Sequence, residues 1–313
     1  MKRALKITLG ILGVIAVIVA GAATLITIRN AQAAADIERE YQAMRVQPIA
    51  NLGATRTLRI LPLVEEAAGR DGVQIEHGVS YLVRTDDVTL LVDLGQNVQA
   101  ASPSPLEHNM EQLGVTTGDF DTLFFSHSHP DHVGGRAWWQ GATFSLGNQQ
   151  TDLSGKRVFA PAPMTYPGLS PVVVTEPIVI AQGVASLGVL PFAEVFPLNV
   201  FAPRNVEQTL AVNVEGKGIV LITGCGHPGV PNMLARAQAL FDQPIIGILG
   251  GLHYETTDLA VLQPGIESLK ALHPQIVGLS PHDSTPQAIE AFRQAFPDAY
   301  RDIAVGQEIV IGD

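Results

Sequence analysis

The chain has 313 residues, of which 46% are hydrophobic and 16% are charged. This is enough apolar material for one large core or two modest ones. The net charge is −11, and because Lys2, Arg3, Lys6 and Arg29 are the only charges before residue 36, the rest of the chain carries −15. This acidity argues against a nucleic-acid substrate, whose backbone is bound through Lys and Arg. The single cysteine, Cys225, excludes an intramolecular disulfide and a zinc site built from cysteines alone.

The first predicted element is an apolar helix at the N-terminus. Residues 7–28 carry no charge and are long enough to span a bilayer. The Lys and Arg residues before them favour a cytoplasmic N-terminus, which would put the rest of the chain outside the cytoplasm. We favour an uncleaved signal anchor over a signal peptide cut after Ala31-Gln32-Ala33, because the apolar run exceeds the ~7–15 residues usual in signal peptides. In the second case the protein would be secreted or periplasmic.

The remaining chain is predicted to form one domain. We expect a signal anchor or signal peptide at 1–35, a stalk or linker at 36–55 and a folded domain at 56–313. Within the domain, TRTLRILPLV is a predicted strand, and VSYLVRTDD and VTLLVDLG form a predicted hairpin turning at Thr85-Asp86-Asp87. SPLEHNMEQLGV has helical spacing, and DTLFFSHSH is a buried strand that runs into a loop.

Residues 140–207 are predicted to contain strands and loops without strong helices. After them, strands alternate with helices. The predicted strands are LAVNV, GIVLITGCG, PIIGILGGLH, PQIVGLSPHDS and EIVIG, and the predicted helices are NMLARAQALF, PGIESLKALH and PQAIEAFRQAF. Two strand-rich halves that each carry helices indicate an α/β sandwich with helices outside the sheets.

The segment that carries most chemical information is FSHSHPDHVGG at 125–135. His127 and His129 point the same way in an extended segment, because side chains alternate with period two, so they can bind one metal. Asp131 and His132 follow a proline, where the chain turns, and can face a second metal. Imidazole with carboxylate suits zinc, iron or manganese.

His-x-His-x-Asp-His after an apolar strand resembles the metallo-β-lactamase superfamily, and the likeness extends over about residues 56–313. It implies an α/β fold, the αββα sandwich, with the metal site at one edge of the sheets. It also implies that His127 and His129 bind one metal and that Asp131 and His132 bind a second.

Three further positions match the superfamily pattern. His227, which follows the strand GIVLI, and His282 in LSPHDS match its remaining metal ligands. Asp93 in LLVDLG matches an aspartate that orients the metal loop through hydrogen bonds.

A closer likeness exists within the superfamily. The blocks EHGVSYLV, VDLGQN, TGCGHPGV, GILGGLHYE and LSPHDST resemble the branch related to the dihydropterin-ribofuranosylaminobenzene phosphate synthases. A location outside the cytoplasm fits badly with pterin synthesis, so that substrate is not expected. In this branch the block that contains His77 borders the site, which leaves substrate contact and structural hydrogen bonding both open for His77.

One departure concerns the aspartate that bridges the two metals in many superfamily members. The strand IIGILGGLH offers Gly250, Gly251 and His253 but no carboxylate, so we expect one or two ions, with the second bound weakly. His253 is open to three roles: metal ligand, substrate contact or loop stabiliser. For Cys225, two residues before His227, we favour a small buried packing residue over a ligand or nucleophile.

The predicted activity is metal-dependent hydrolysis of a small ester, lactone, phosphodiester or amide, with zinc expected and manganese or iron open. A metal lowers the pKa of bound water to about 7, and Asp131 is the predicted catalytic ligand that moves the proton, alone or with a nearby histidine. Arg204 is the predicted contact for a strongly anionic substrate.

The alternatives to a hydrolase are an iron-dependent oxidoreductase on the same fold and a non-catalytic metal-binding or sensing module. The sequence leaves the oligomeric state unknown.

Overall fold

The computed structural model describes residues 2–312. Met1 and Asp313, at the ends of two predicted segments, lie outside the described residues, as do the side chains of Lys2, Arg3 and Lys6. The chain divides into two compact units. The first comprises residues up to Arg45 together with Pro191–Asn205, and the second comprises Val46–Leu190 and the chain from Val206 onward.

The first unit contains a long N-terminal helix, α1, at Lys2–Ala43. Its segment Ile11–Ala43 is long and apolar enough to cross a membrane, and the side chains at its centre are exposed, Val17 by 73%. The helix passes through residue 35, where the anchor was predicted to end, and continues into the predicted stalk. The other part of this unit is a hairpin whose tip holds a short 3₁₀ turn at Leu198–Val200.

The second unit is an α/β sandwich. Its helices are α2 (Pro105–Gln112), α3 (Arg136–Gln140), α4 (Val230–Leu240), α5 (Leu259–Lys270) and α6 (Pro286–Ala295). The strands, two of which extend into the first unit, are β1 (Thr57–Val64), β2 (Ser80–Arg84), β3 (Thr89–Val92), β4 (Thr122–Phe124), β5 (Arg157–Ala160), β6 (Val172–Val173), β7 (Ile178–Ala181), β8 (Val184–Ala193), β9 (Arg204–Val214), β10 (Gly218–Thr223), β11 (Ile245–Gly250), β12 (Ile276–Leu279) and β13 (Ile309–Gly312).

These strands form two sheets. The seven-stranded sheet has the order β13-β1-β2-β3-β4-β5-β6, and the six-stranded sheet has the order β12-β11-β10-β9-β8-β7. The predicted hairpin of β2 and β3 is confirmed by antiparallel pairing of Tyr81 with Val92. In contrast, β3 and β4 are parallel, as are β10, β11 and β12, so the carboxyl ends within each set point to the same sheet edge.

The strand β2 contributes side chains to two separate cores, one on each of its faces. Along β2, Tyr81 and Val83 join a core that also takes side chains from the six-stranded sheet, among them Leu210 and Val220. The intervening Leu82 belongs instead to a second core, which includes Leu106 and Met110 of α2. Successive side chains of a strand point to opposite faces, so a strand covered on both faces needs an almost continuous apolar sequence.

Candidate metal centre

The candidate ligands follow the carboxyl ends of parallel strands in both sheets. The loop that contains His127 follows β4, while Cys225 and His227 follow β10. His253 follows β11 and His282 follows β12. Ligand sites in α/β sheets commonly form outside the carboxyl ends of strands, and the strand order brings these separate segments together.

One group of possible ligands consists of three histidines. The ligand atoms of His127, His129 and His227 all lie within 4.8 Å of one another. The ring of His127 is 4.5 Å from that of His129 and 4.7 Å from that of His227, measured between centroids. His127 is fully buried, whereas His129 is 9% exposed, so this group has a buried end and an end that reaches the surface.

A second group adds a carboxylate and a thiol to two histidines. Ligand atoms of Asp131, His132, Cys225 and His282 also lie within 4.8 Å of one another. The Nε2 atom of His132 is 3.3 Å from Oδ2 of Asp131. The ring of His132 is 4.0 Å from that of His127, which belongs to the first group, so the two groups are neighbours.

Cys225 occupies the position between these histidines. Its Sγ atom lies 3.1 Å from Nε2 of His132 and 3.2 Å from Nε2 of His282. It also forms a third possible ligand group with His227 and His253. The interpretation as a packing residue accounts for its burial but not for this position. Cys225 therefore gives the centre a second candidate anionic ligand beside Asp131, since a thiolate can bind metal.

Asp93 lies behind the loop at 125–135 and is hydrogen-bonded to it. It is fully buried, and its Oδ2 accepts a hydrogen bond of 2.8 Å from Nδ1 of His132. Its two oxygens also accept bonds from the backbone N–H and hydroxyl of Ser126, whose Oγ is 3.0 Å from Nδ1 of His127. Because an ionised carboxylate only accepts hydrogen bonds, Asp93 fixes the proton of His132 on Nδ1 and directs Nε2 into the centre.

Glu207 does the same for His227, and the sequence analysis missed it. This fully buried residue of β9 accepts bonds from the backbone N–H groups of Cys225 (3.1 Å), Gly226 (2.8 Å) and His227 (2.9 Å). It also accepts a 2.9 Å bond from Nδ1 of His227. No local motif surrounds Glu207 in EQTLAV, so only the pairing of β9 with β10 reveals its role.

Glu65 supports His282 through an intervening serine and was also missed. The hydroxyl of Ser280 lies 2.5 Å from Nδ1 of His282 and donates to the carboxylate of Glu65. Tyr81 donates a second bond of 2.6 Å to the same carboxylate. Burial is the largest influence on Glu65 and raises its pKa to about 7, despite these hydrogen bonds.

His77 and His253 lie at the more exposed side of the centre. Nε2 of His77 is 3.6 Å from Oδ2 of Asp131, and its Nδ1 is 2.8 Å from the carboxylate of Glu66. His253 has its ring 4.4 Å from that of His227. Its backbone is in the left-handed region, with φ of 56°. Each of the two residues therefore lies beside a candidate ligand, His77 beside Asp131 and His253 beside His227.

Burial and charge set the protonation of the metal-free centre. Burial lowers the pKa of His127 and His282 and raises the pKa of the Cys225 thiol. Burial also acts to raise the pKa of Asp131, but His132 and the other histidines hold that pKa below its usual value. His127 and His282 are thus neutral and Asp131 is ionised, which suits metal binding. Burial acts to lower the pKa of His132, but Cys225, Asp131 and Asp93 raise that pKa well above its usual value. His132 and the Cys225 thiol must therefore each lose a proton when they bind metal.

Glycines allow the segments to approach closely. A Cβ atom on Gly224 would lie 2.0 Å from Oγ of Ser126 and 2.9 Å from Oδ2 of Asp93. One on Gly78, at φ of +102°, would lie 2.3 Å from the backbone oxygen of Asp131. A side chain at position 224 would displace Ser126 and Asp93, which orient His132, and one at position 78 would displace Asp131 itself.

Arg204, the predicted contact for an anionic substrate, is engaged elsewhere. Its guanidinium forms two bonds, of 2.6 and 2.9 Å, to the carboxylate of Glu40 on α1. Arg136, at the start of α3, is exposed instead and lines a cavity of about 330 Å³ together with Asn97, Trp138 and Asn148. Arg136 is therefore better placed than Arg204 to contact an anionic group.

The sandwich and the histidine-rich edge identify a metallo-β-lactamase fold. The sequence model of the metallo-beta-lactamase superfamily matches residues 74–144, which contain Asp93 and the metal loop. The crystal structure of Tm1679, a metal-dependent hydrolase of the beta-lactamase superfamily, is similar with a TM-score of 0.61 and 23% identity, covering 82% of this chain and all of that one. The metallo-beta-lactamase fold protein YhfI from Bacillus subtilis is similar with a TM-score of 0.50 and 13% identity, at the same coverages.

A curated relative lies in the branch indicated by the sequence blocks. It is the 7,8-dihydropterin-6-methyl-4-(beta-D-ribofuranosyl)-aminobenzene-5'-phosphate synthase of Methanocaldococcus jannaschii, 22% identical over 298 residues, which cover 83% of this chain and 98% of the relative. The predicted fold and the predicted resemblance to this branch are both confirmed. The substrate of a relative this distant does not transfer to this chain.

Proposed function

We propose that this chain is a metal-dependent hydrolase with a dinuclear centre. The observation that carries the proposal is the pair of adjacent ligand groups, three histidines on one side and Asp131, His132 and His282 on the other. Cys225 is the proposed ligand shared between them. Two metal groups side by side at a sheet edge are suited to hold both the attacked centre and the leaving group of a hydrolytic reaction.

The donor set fits zinc, with manganese or iron open. Imidazole nitrogen, carboxylate oxygen and thiolate sulfur are all ligands of zinc. The buried carboxylates of Asp93 and Glu207 accept hydrogen bonds from Nδ1 of His132 and His227, which is how proteins orient metal-binding histidines. When bound, metal ions here would polarise the substrate and lower the pKa of water to about 7.

The residues of the chain supply proton transfer and substrate contact. Asp131 is the proposed catalytic group, because it is ionised and 15% exposed at the accessible side of the centre. His77 lies 3.6 Å from it and is 44% exposed, so a proton taken up by Asp131 can pass through His77 to the leaving group or to solvent. The ring of His253 next to His227 is placed to contact the substrate or to add a ligand.

The proposed substrate is a small ester, lactone, phosphodiester or amide, and the proposed location is the outer face of a membrane. The length and apolar composition of α1 support a signal anchor that keeps the second unit outside the cytoplasm. If the helix is instead cleaved, the same unit would be secreted or periplasmic.

The test is to load the full-length chain with Zn, Mn or Fe, measure bound metal, and assay a panel of esters, lactones, phosphodiesters and amides. Turnover that is lost in Asp131→Asn but kept in Asp71→Asn, an exposed carboxylate outside the centre, supports the proposal. Stoichiometric iron with oxygen consumption would replace it with an oxidoreductase. Bound metal without turnover would leave a binding or sensing module.

A further inference from the structure

The hairpin of the first unit ends in an exposed apolar tip. Residues 195–203 carry no charged side chain. Val195, Phe196 and Phe201 are 58%, 79% and 82% exposed. An exposed apolar cluster of this kind marks a surface that meets another protein or a membrane.

The hairpin is attached to α1 at both its base and its tip. At the base, the hydroxyl of Tyr41 donates a 2.6 Å bond to the carbonyl oxygen of Pro191, and Glu40 pairs with Arg204. At the tip, the guanidinium of Arg29 donates to the carbonyl oxygens of Asn199 and Val200, the latter at 2.8 Å. Tyr41 follows Arg29 by twelve positions in the helix, so at about 1.5 Å per residue the hairpin follows the helix for about 18 Å.

From its base at Tyr41 to its tip at Arg29, the hairpin runs towards the apolar part of α1. Arg29 is the first charged residue after the uncharged run of residues 7–28. If that run crosses a bilayer, Arg29 marks the place where the hydrocarbon layer gives way to the polar interface. The hairpin tip bonded to Arg29 is then at the same depth, with its apolar side chains next to lipid.

We propose that the tip of this hairpin, residues 195–203, is a second membrane contact, in which Phe196 and Phe201 enter the interface beside α1. The inference rests on the membrane location of α1 that forms part of the proposed function. Apolar and aromatic side chains bind at this depth because their rings leave water for the boundary of headgroups and acyl chains. The contact would fix the rotation and tilt of α1, which a single helix leaves free.

Spin labels measure the depth of each position directly. The full-length chain is reconstituted into phosphatidylcholine–phosphatidylglycerol vesicles, and nitroxides are attached to Phe196→Cys and Phe201→Cys. Ile15→Cys in α1 and Val310→Cys in β13, both exposed apolar positions, serve as membrane and water references. The wild-type chain controls for labelling of the buried Cys225. The readout is the ratio of collisions with oxygen to collisions with a water-soluble nickel chelate.

We expect the ratio at positions 196 and 201 to exceed that at 310 by severalfold and to fall below that at 15. If positions 196 and 201 match 310 while 15 is deep, the hairpin contact is wrong and the anchor stands. If position 15 is as accessible to nickel as 310, or the chain is recovered without residues 1–33, the anchor itself fails and the inference falls with it. If both collision rates drop at 196 and 201, protein covers the tip instead of lipid, which also overturns the proposal.

Discussion

Replacing Glu207 by Gln tests the inference that a buried carboxylate holds the His227 segment in place. Each oxygen of Glu207 accepts two hydrogen bonds: one takes the backbone N–H groups of Cys225 and Gly226, the other the backbone N–H and Nδ1 of His227. Glutamine keeps one accepting oxygen and turns an NH₂ group towards the other pair of donors. Two hydrogen bonds to a charged group are therefore lost, and their donors stay buried.

The magnitude follows from these contacts. A hydrogen bond to a charged group contributes about 1.5–3 kcal/mol, so Glu207→Gln should lower the free energy of unfolding by roughly 3–6 kcal/mol, a large part of the ~5–15 kcal/mol of a typical domain. The loss of orientation at His227 should weaken metal affinity by about 10- to 100-fold.

Chelator competition on the full-length protein measures the affinity, and denaturant unfolding measures the stability. Glu215→Gln is the matched control, because Glu215 is an exposed carboxylate in the turn between β9 and β10 and should change neither quantity. If Glu207→Gln keeps wild-type metal affinity and stability, the carboxylate does not organise the centre and the reasoning is refuted.

Three further predictions use the same structure. In the metal-free protein, burial raises the pKa of Glu65 from 4.5 to about 7. The folded state therefore binds this proton more tightly than the unfolded state, which adds about 3 kcal/mol to the free energy of unfolding. This addition is complete below pH 4.5 and is lost as the pH rises through 7. Unfolding of wild type and Glu65→Gln across this range should show that difference, and a gap independent of pH would contradict it. Gly224→Ala, whose Cβ would lie 2.0 Å from Oγ of Ser126, should reduce stability and metal content, whereas Gly118→Ala, with its nearest contact at 3.4 Å, should change metal content little; equal metal loss in both would count against the close approach. Arg136→Ala should raise KM for phosphodiesters several-fold and leave neutral esters unchanged, and an equal effect on both would show that Arg136 does not recognise charge.

The sequence predicted most of the second unit because its signals are local. The alternation of apolar side chains in TLRILPLV and SYLVR, with turn residues between strands, was sufficient to indicate the β1–β3 meander. The loop at 125–135 carries four candidate ligands within six residues, so the sequence alone predicts a metal-binding loop. The hydrogen-bonding role of Asp93 was predicted only from the family resemblance.

The remaining parts of the centre depend on long-range packing. Glu65 and Ser280 are 215 positions apart in the chain, and Glu207 reaches His227 only because β9 and β10 pair. The proximity of Cys225 to His132 and His282 was not predicted, because these two histidines come from two other loops. The ion pair of Arg204 with Glu40 was not predicted either, because the two residues are 164 positions apart in the chain.

X-ray absorption spectroscopy of the zinc-loaded, full-length protein tests the dinuclear, thiolate-containing centre most directly. The account predicts two zinc ions per chain and a sulfur neighbour at about 2.3 Å, with the sulfur signal absent in Cys225→Ser. A centre with nitrogen and oxygen neighbours only, or with no more than one zinc ion under saturating conditions, would contradict it.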